Sequence, residues 1–145
     1  AKKEEYDSRQ LLVHRKGATR ALPAGHVNNP LCYMDTGHPA IIPGSMGTGS
    51  YVIIGTPEIK KTFCSVNHGA GRVMSRRKAR SKFSKQELLR QMKDVVIASE
   101  QIKSLLDEAP MAYKDIDEVI FTLVDAGLTK PIVKLKPLGV LKGSD

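Results

Sequence analysis

A chain of 145 residues with 41% hydrophobic and 26% charged residues can build a single core, so it is one domain or part of one. No apolar run approaches the roughly 20 residues needed to cross a bilayer, and Ala1-Lys2-Lys3-Glu4-Glu5 has neither an export signal nor an initiator Met, which points to a cytoplasmic chain that is processed or is a piece of something longer. The formal net charge of +8 is informative once it is located along the chain, and no membrane partner is expected.

In chain order, the stretch up to about Gly55 is turn-rich, with Pro23, Pro30, Pro39 and Pro43 among many glycines. Within it Leu11-Leu12-Val13, Ile41-Ile42 and Tyr51-Val52-Ile53-Ile54 are bounded by turn residues and predict short buried strands. A basic block follows over Glu58 to Lys85. Lys60, Lys61, Arg72, Arg76, Arg77, Lys78, Arg80, Lys82 and Lys85 occur there with no acidic residue from Lys60 onward, so the remainder of the chain is close to neutral. Such a block points to contact with a polyanion, the alternative being a solvated basic face.

Ser84-Lys85-Gln86-Glu87 predicts a capping box, with Leu88, Leu89 and Met92 following at helical spacing. Val95-Val96-Ile97 either continues that helix or forms a short strand before a second helix at about Gln101 to Glu108, which Pro110 keeps from passing Ala109. Ile116, Val119, Ile120, Leu123 and Val124 mark one face of a helix that Gly127 can end. Ile132 to Leu141 reads as extended, with Pro137 confining it to an edge. The pattern is α+β without a βαβ rhythm: a turn-rich β N-terminal half, then helices, then a terminal extended segment.

Gly44-Ser45-Met46-Gly47-Thr48-Gly49-Ser50 lies between two apolar runs. It either presents backbone N–H groups to an anion as a nest or closes a tight hairpin. Its glycine spacing approaches a P-loop but lacks the Lys, and the Rossmann glycine order is absent. His68, in His68-Gly69-Ala70-Gly71-Arg72, is either an ordinary histidine or a functional one. Two of the three residues after it are glycines that leave room for a bulky ligand, Arg72, Arg76 and Arg77 can fork onto phosphate, and a neutral imidazole is a competent nucleophile at phosphorus. Leu12-Val13-His14-Arg15-Lys16-Gly17-Ala18-Thr19-Arg20 is a solvated turn or a second anion-binding loop. His14, His26, His38, Cys32 and Cys64 form no zinc spacing, and the two cysteines, in no CxxC pair, fit a reduced compartment. Lys142 reads as a tail charge.

These segments, in this order, resemble the RtcB-type tRNA-splicing ligases. The resemblance is carried by Leu12 to Arg20, Ile42-Pro43-Gly44-Ser45-Met46-Gly47-Thr48, His68 to Arg72 with Ser75-Arg76, Glu108-Ala109-Pro110, Ala112-Tyr113-Lys114-Asp115 and Leu138-Gly139-Val140-Leu141-Lys142-Gly143. It implies an RtcB-like ligase fold and a GTP-dependent, manganese-using RNA ligase of tRNA splicing and RNA repair. Such an enzyme joins a 2′,3′-cyclic phosphate or 3′-phosphate end to a 5′-hydroxyl end. His68 falls at the position that takes guanylate covalently. Pro43, Gly44, Ser45, Met46, Ser50, Gly69, Ala70 and Gly71 match guanylate contacts, as does Lys142, which displaces its reading as a tail charge. Lys16, Arg20, Arg72 and Arg76 are implied to hold RNA phosphates.

The family's manganese ligands, an Asp, a Cys and three His, lie upstream of the segment represented here, and Ala1-Lys2-Lys3-Glu4 resembles the stretch just after the family's His-Asn pair. Residues 1–145 are therefore expected to be the C-terminal part of a larger ligase domain, with no metal ligand in this chain, with the N-terminal part as a partner, and inactive when isolated. Smaller departures from the family pattern are Gly49, where Ala is common, and Val66-Asn67 ahead of His68. A non-catalytic nucleotide- or RNA-binding fragment stays open as an alternative, as does a phosphoryl-transfer enzyme in which His68 carries phosphate transiently.

Overall fold

Alternation along the central apolar runs sets the main sheet. The computed structural model describes residues 2–6, 8–98 and 102–141. Strand β4 (Ala40–Pro43) turns Ala40 and Ile42 into the core and leaves Ile41 outside. It pairs antiparallel with β5 (Ser50–Gly55), which pairs on its other side with β8 (Thr129–Leu135), giving the order β4-β5-β8. Pro131 in β8 lies opposite Ile53, where the register shifts after Val52, so its missing N–H falls at an irregularity of the ladder.

The other sheets are two-stranded. A hairpin joins β1 (Lys2–Tyr6) to β2 (Arg9–Val13), and β3 (Ala18–Arg20) pairs antiparallel with β6 (Ser65–Asn67). Strands β7 (Val96–Ala98) and β9 (Gly139–Leu141) are parallel. Leu11 to Val13 thus forms the predicted strand, but not a buried one: Leu12 is 72% exposed, because the β1–β2 ribbon has only two strands and Leu12 lies on its open face.

Among the described residues, α1 (Arg76–Lys82) lies within the basic block, α2 (Lys85–Gln91) starts at its end and α3 (Ile116–Asp125) follows later. Both halves of the capping box at α2 are present: the Ser84 hydroxyl accepts from the Glu87 N–H at 3.2 Å, and the Ser84 N–H donates to the Glu87 carboxylate at 2.8 Å. Val96 to Ala98 takes the strand alternative. Within the predicted second helix, Ile102–Glu108 winds as 3₁₀ turns packed against α1 and α2, while Gln101 lies outside the described residues. The side chain of Asp115 caps α3 by accepting from the Asp117 N–H at 2.8 Å, and Gly127, at φ +69°, ends it.

Two apolar clusters result. One gathers Leu22, Ile42, Ile53, Ile59, Cys64 and Val66 with Ile116 and Ile120 of α3, so α3 packs on the same core as the main sheet. The other is built on Leu88, Met92, Leu105 and Ala109. Cys32 is exposed, Cys64 is buried, and both thiols are free. Among the described residues no helix is long and apolar enough to cross a membrane.

Candidate active site

The loop from His68 to Arg72 leaves β6 and is stitched to three other segments. The β3–β6 ladder brings it beside Gly17, whose carbonyl accepts from the His68 N–H at 3.1 Å. The Ala70 N–H donates to the Pro43 carbonyl at 2.9 Å, and the Lys114 N–H to the Gly71 carbonyl at 3.0 Å. Gly69 lies so close to the end of β4 that an added Cβ would meet the Pro43 carbonyl oxygen at 3.0 Å.

An open cleft of about 990 Å³ lies over this loop, large enough for a nucleotide. Its walls are Gly17, Pro43 and Gly44, the loop from Asn67 to Gly71, Tyr113 to Asp115, and the Glu118, Val119 and Thr122 face of α3. His68 is exposed at this cleft. Sequence reasoning singled out Pro43, Gly44 and His68 to Gly71, and the structure brings these together. It assigned no role to Gly17, Asn67 or α3. Tyr113, Lys114 and Asp115 were part of a matching motif, which was the signal available for them.

Ser45, Met46 and Ser50 stand apart from the cleft walls. The Gly44 N–H donates to the Gly49 carbonyl at 3.1 Å and the Ser45 N–H to the Thr48 hydroxyl at 2.7 Å, so the glycine-rich segment closes the β4–β5 hairpin with its own amides. A Cβ on Gly44 would sit 2.2 Å from the Gly49 oxygen. Met46 packs on the second apolar cluster, and Ser50 pairs between Pro43 and Leu135. Lys142 lies outside the described residues.

Arg72 faces inward. Its Nε donates to the Met74 carbonyl at 3.0 Å, Nη1 to the Tyr113 hydroxyl at 3.0 Å, and Nη2 to the Asp107 carbonyl, with the guanidinium 4.8 Å from the Tyr113 ring centre. The Tyr113 hydroxyl donates in turn to Glu108, and burial followed by that bond raises the phenol above its usual range. Arg72 thereby braces the loop from behind. Arg76 is 71% exposed while lying 3.1 Å from Glu108, and Arg80 pairs with buried Asp107 at 3.0 Å. Acidic residues beyond the basic block thus neutralise part of it, whereas Arg77, Lys78, Lys82 and Lys85 are exposed.

The segment around Gly17 does hold an anion, and it is internal. Arg15 forks onto Glu4 at 2.7 and 2.8 Å and also donates to the Phe63 carbonyl and the Ser65 hydroxyl, both at 2.8 Å. The Arg15 bond holds the Glu4 carboxyl down at about 2 against the opposing effect of burial. Lys16 is exposed, and Arg20 is half-exposed, 4.0 Å from Glu4. Among the described residues no group of three or more His, Cys, Asp or Glu side chains is gathered to hold a metal, so these residues do not fit a manganese centre.

Comparison with known proteins places this loop in context. Residues 1–143 match the family described as tRNA-splicing ligase RtcB. The tRNA-splicing ligase RtcB of Aeropyrum pernix is 42% identical over 149 aligned residues, covering 99% of this chain and 31% of that protein. Proteins of the same name from Pyrococcus abyssi and Methanopyrus kandleri are 45% and 41% identical over 92% and 94% of this chain. The chain spans 15% and 14% of those two, so it corresponds to less than a third of each of these three relatives. The His68–Arg72 loop and the cleft it lines therefore sit in a chain that belongs to the RtcB family.

Proposed function

We propose that this chain supplies the nucleophile and guanylate-facing loop of an RNA ligase of tRNA splicing and RNA repair. The observation that carries the reading is an exposed histidine on a backbone fixed from three sides, opening onto a nucleotide-sized cleft in a chain of this family. The substrates are GTP and RNA ends, one bearing a 2′,3′-cyclic phosphate or 3′-phosphate and the other a 5′-hydroxyl. Manganese is the implied metal, on ligands outside this chain, and when bound it would neutralise phosphate charge.

The neutral imidazole of His68 donates its lone pair to the α-phosphorus of GTP. A P–N bond forms, the bond to the bridging oxygen breaks with pyrophosphate as leaving group, and the ring loses its N–H proton. A cyclic end takes up water and breaks its P–O2′ bond to give a 3′-phosphate; guanylate passes to an oxygen of that phosphate as the P–N bond breaks, and the 5′-hydroxyl, losing its proton to solvent, displaces GMP to close the phosphodiester. Fixing the loop beforehand lowers the cost of aligning the attacking nitrogen. Pro43, Gly44, Gly69, Ala70 and Gly71 form the wall beside the attacking ring, while Ser45, Met46, Ser50 and Lys142 stay in the proposed guanylate set on family resemblance alone. Lys16, Arg20 and Arg76 are the side chains proposed to meet RNA phosphates, a reading supported by the exposure of Lys16 and Arg76. Arg72 acts by bracing the loop.

The test is joining of a 3′-phosphate RNA to a 5′-hydroxyl RNA by the full-length protein with GTP and manganese. Product that disappears in His68→Ala supports the reading. Product that survives in His68→Ala refutes it.

A further inference from the structure

We propose that Asn67 is a positioning residue for His68, an inference that rests on reading His68 as the nucleophile. Asn67 ends β6, and its backbone is fixed opposite Ala18 by the β3–β6 ladder. Its side chain spans the histidine: Nδ2 donates to the Gly69 carbonyl at 2.7 Å. With the His68 N–H on Gly17 and the Ala70 N–H on Pro43, this bond holds the peptide plane that enters His68 and the Gly69–Ala70 plane one residue beyond it. Only the His68–Gly69 peptide lies between these two anchors, so few Cα–Cβ directions remain open to His68 and the imidazole reaches the cleft with a shorter search.

The other end of the carboxamide supports the same conclusion. Asn67 Oδ1 is buried, and no donor among the described residues reaches it. An orphaned buried acceptor is destabilising, so stability alone gives no reason for an amide at this position. What the amide supplies is the N–H bond across the histidine. Local cost accepted beside a reacting group is a recurring feature of functional sites.

The test is single-turnover guanylylation of the full-length protein with α-labelled GTP and manganese, with GTP affinity and melting temperature measured on each variant. Asn67→Asp keeps the shape and removes the donor, Asn67→Ala removes the side chain, and Asn67→Ser restores a short donor. Asn67→Asp and Asn67→Ala are expected to lower the maximal rate about 10- to 100-fold with GTP affinity within about threefold of wild type, and Asn67→Ser to recover part of the loss. Wild-type rates in both donor-less variants overturn the proposal. So does a parallel fall of rate, GTP affinity and melting temperature with no recovery in Asn67→Ser, which marks a structural role only. A His68→Ala control separates the two readings: label persisting there overturns the nucleophile assignment, whereas label lost there but unchanged in the Asn67 variants overturns only the positioning role.

Discussion

Replacing Glu4 by Gln removes one charge from a nearly buried ion pair and leaves its shape intact. The Glu4 side chain is 6% exposed and Arg15 15% exposed, and among the described residues Glu4 is the one carboxylate paired with this guanidinium. In the folded protein the Arg15 bond holds the Glu4 carboxyl at about 2, against an ordinary 4.5. Because the folded value is depressed, the stabilisation is fully present above the ordinary value. It drains away as pH falls through that value toward the folded one. The shift corresponds to about 3 kcal/mol at neutral pH. Urea unfolding of wild type and Glu4→Gln at neutral pH should therefore differ by about 3 kcal/mol, and the gap should close as pH falls through the window between 4.5 and about 2. A neutral-pH difference below about 0.5 kcal/mol, or a gap that keeps its size in acid, would refute the assignment of this pair as a clamp between β1 and the segment leading to the cleft.

Arg72→Lys keeps the charge and loses the planar fork that reaches Met74, Tyr113 and Asp107 together; chemical denaturation should show a loss of about 2 kcal/mol, with the salt dependence of RNA binding unchanged. Arg76→Ala should do the opposite, weakening RNA binding and lowering the slope of log affinity against log salt by about 1, read by fluorescence anisotropy across a salt series. Ser84→Ala removes the hydroxyl half of the α2 capping box and should cost about 1 kcal/mol in equilibrium unfolding, with no effect on guanylylation.

Much of this molecule was legible where a local rule decides. The capping box at Ser84, the Gly127 stop and the strands at Ile41–Ile42 and Tyr51–Ile54 depend on neighbours a few residues away, and they formed where the pattern predicts, although Ile41 is exposed rather than buried. The exposure of Leu12 was not legible, because it depends on how many strands join β1 and β2. Long-range charge pairing was equally hidden. The basic block reads as free charge, yet Asp107 and Glu108, just before Pro110, pair with Arg76 and Arg80 across the fold, and Glu4 takes Arg15. At the candidate site, the motif named the loop, but only the fold shows that Gly17, Pro43 and Lys114 hold it in place. The glycine-rich segment before Ser50 allowed two readings. The Gly44, Ser45, Gly47 and Thr48 N–H groups bond within the hairpin, which composition could not decide.

Covalent guanylate on His68 is tested by incubating α-labelled GTP with manganese and the full-length protein, followed by proteolysis and mapping of the labelled peptide. Label is expected on the peptide containing His68, none in His68→Ala, and none on the isolated 145-residue chain, whose described residues gather no metal site. Label mapped to another residue, or retained by His68→Ala, would contradict covalent guanylate on His68.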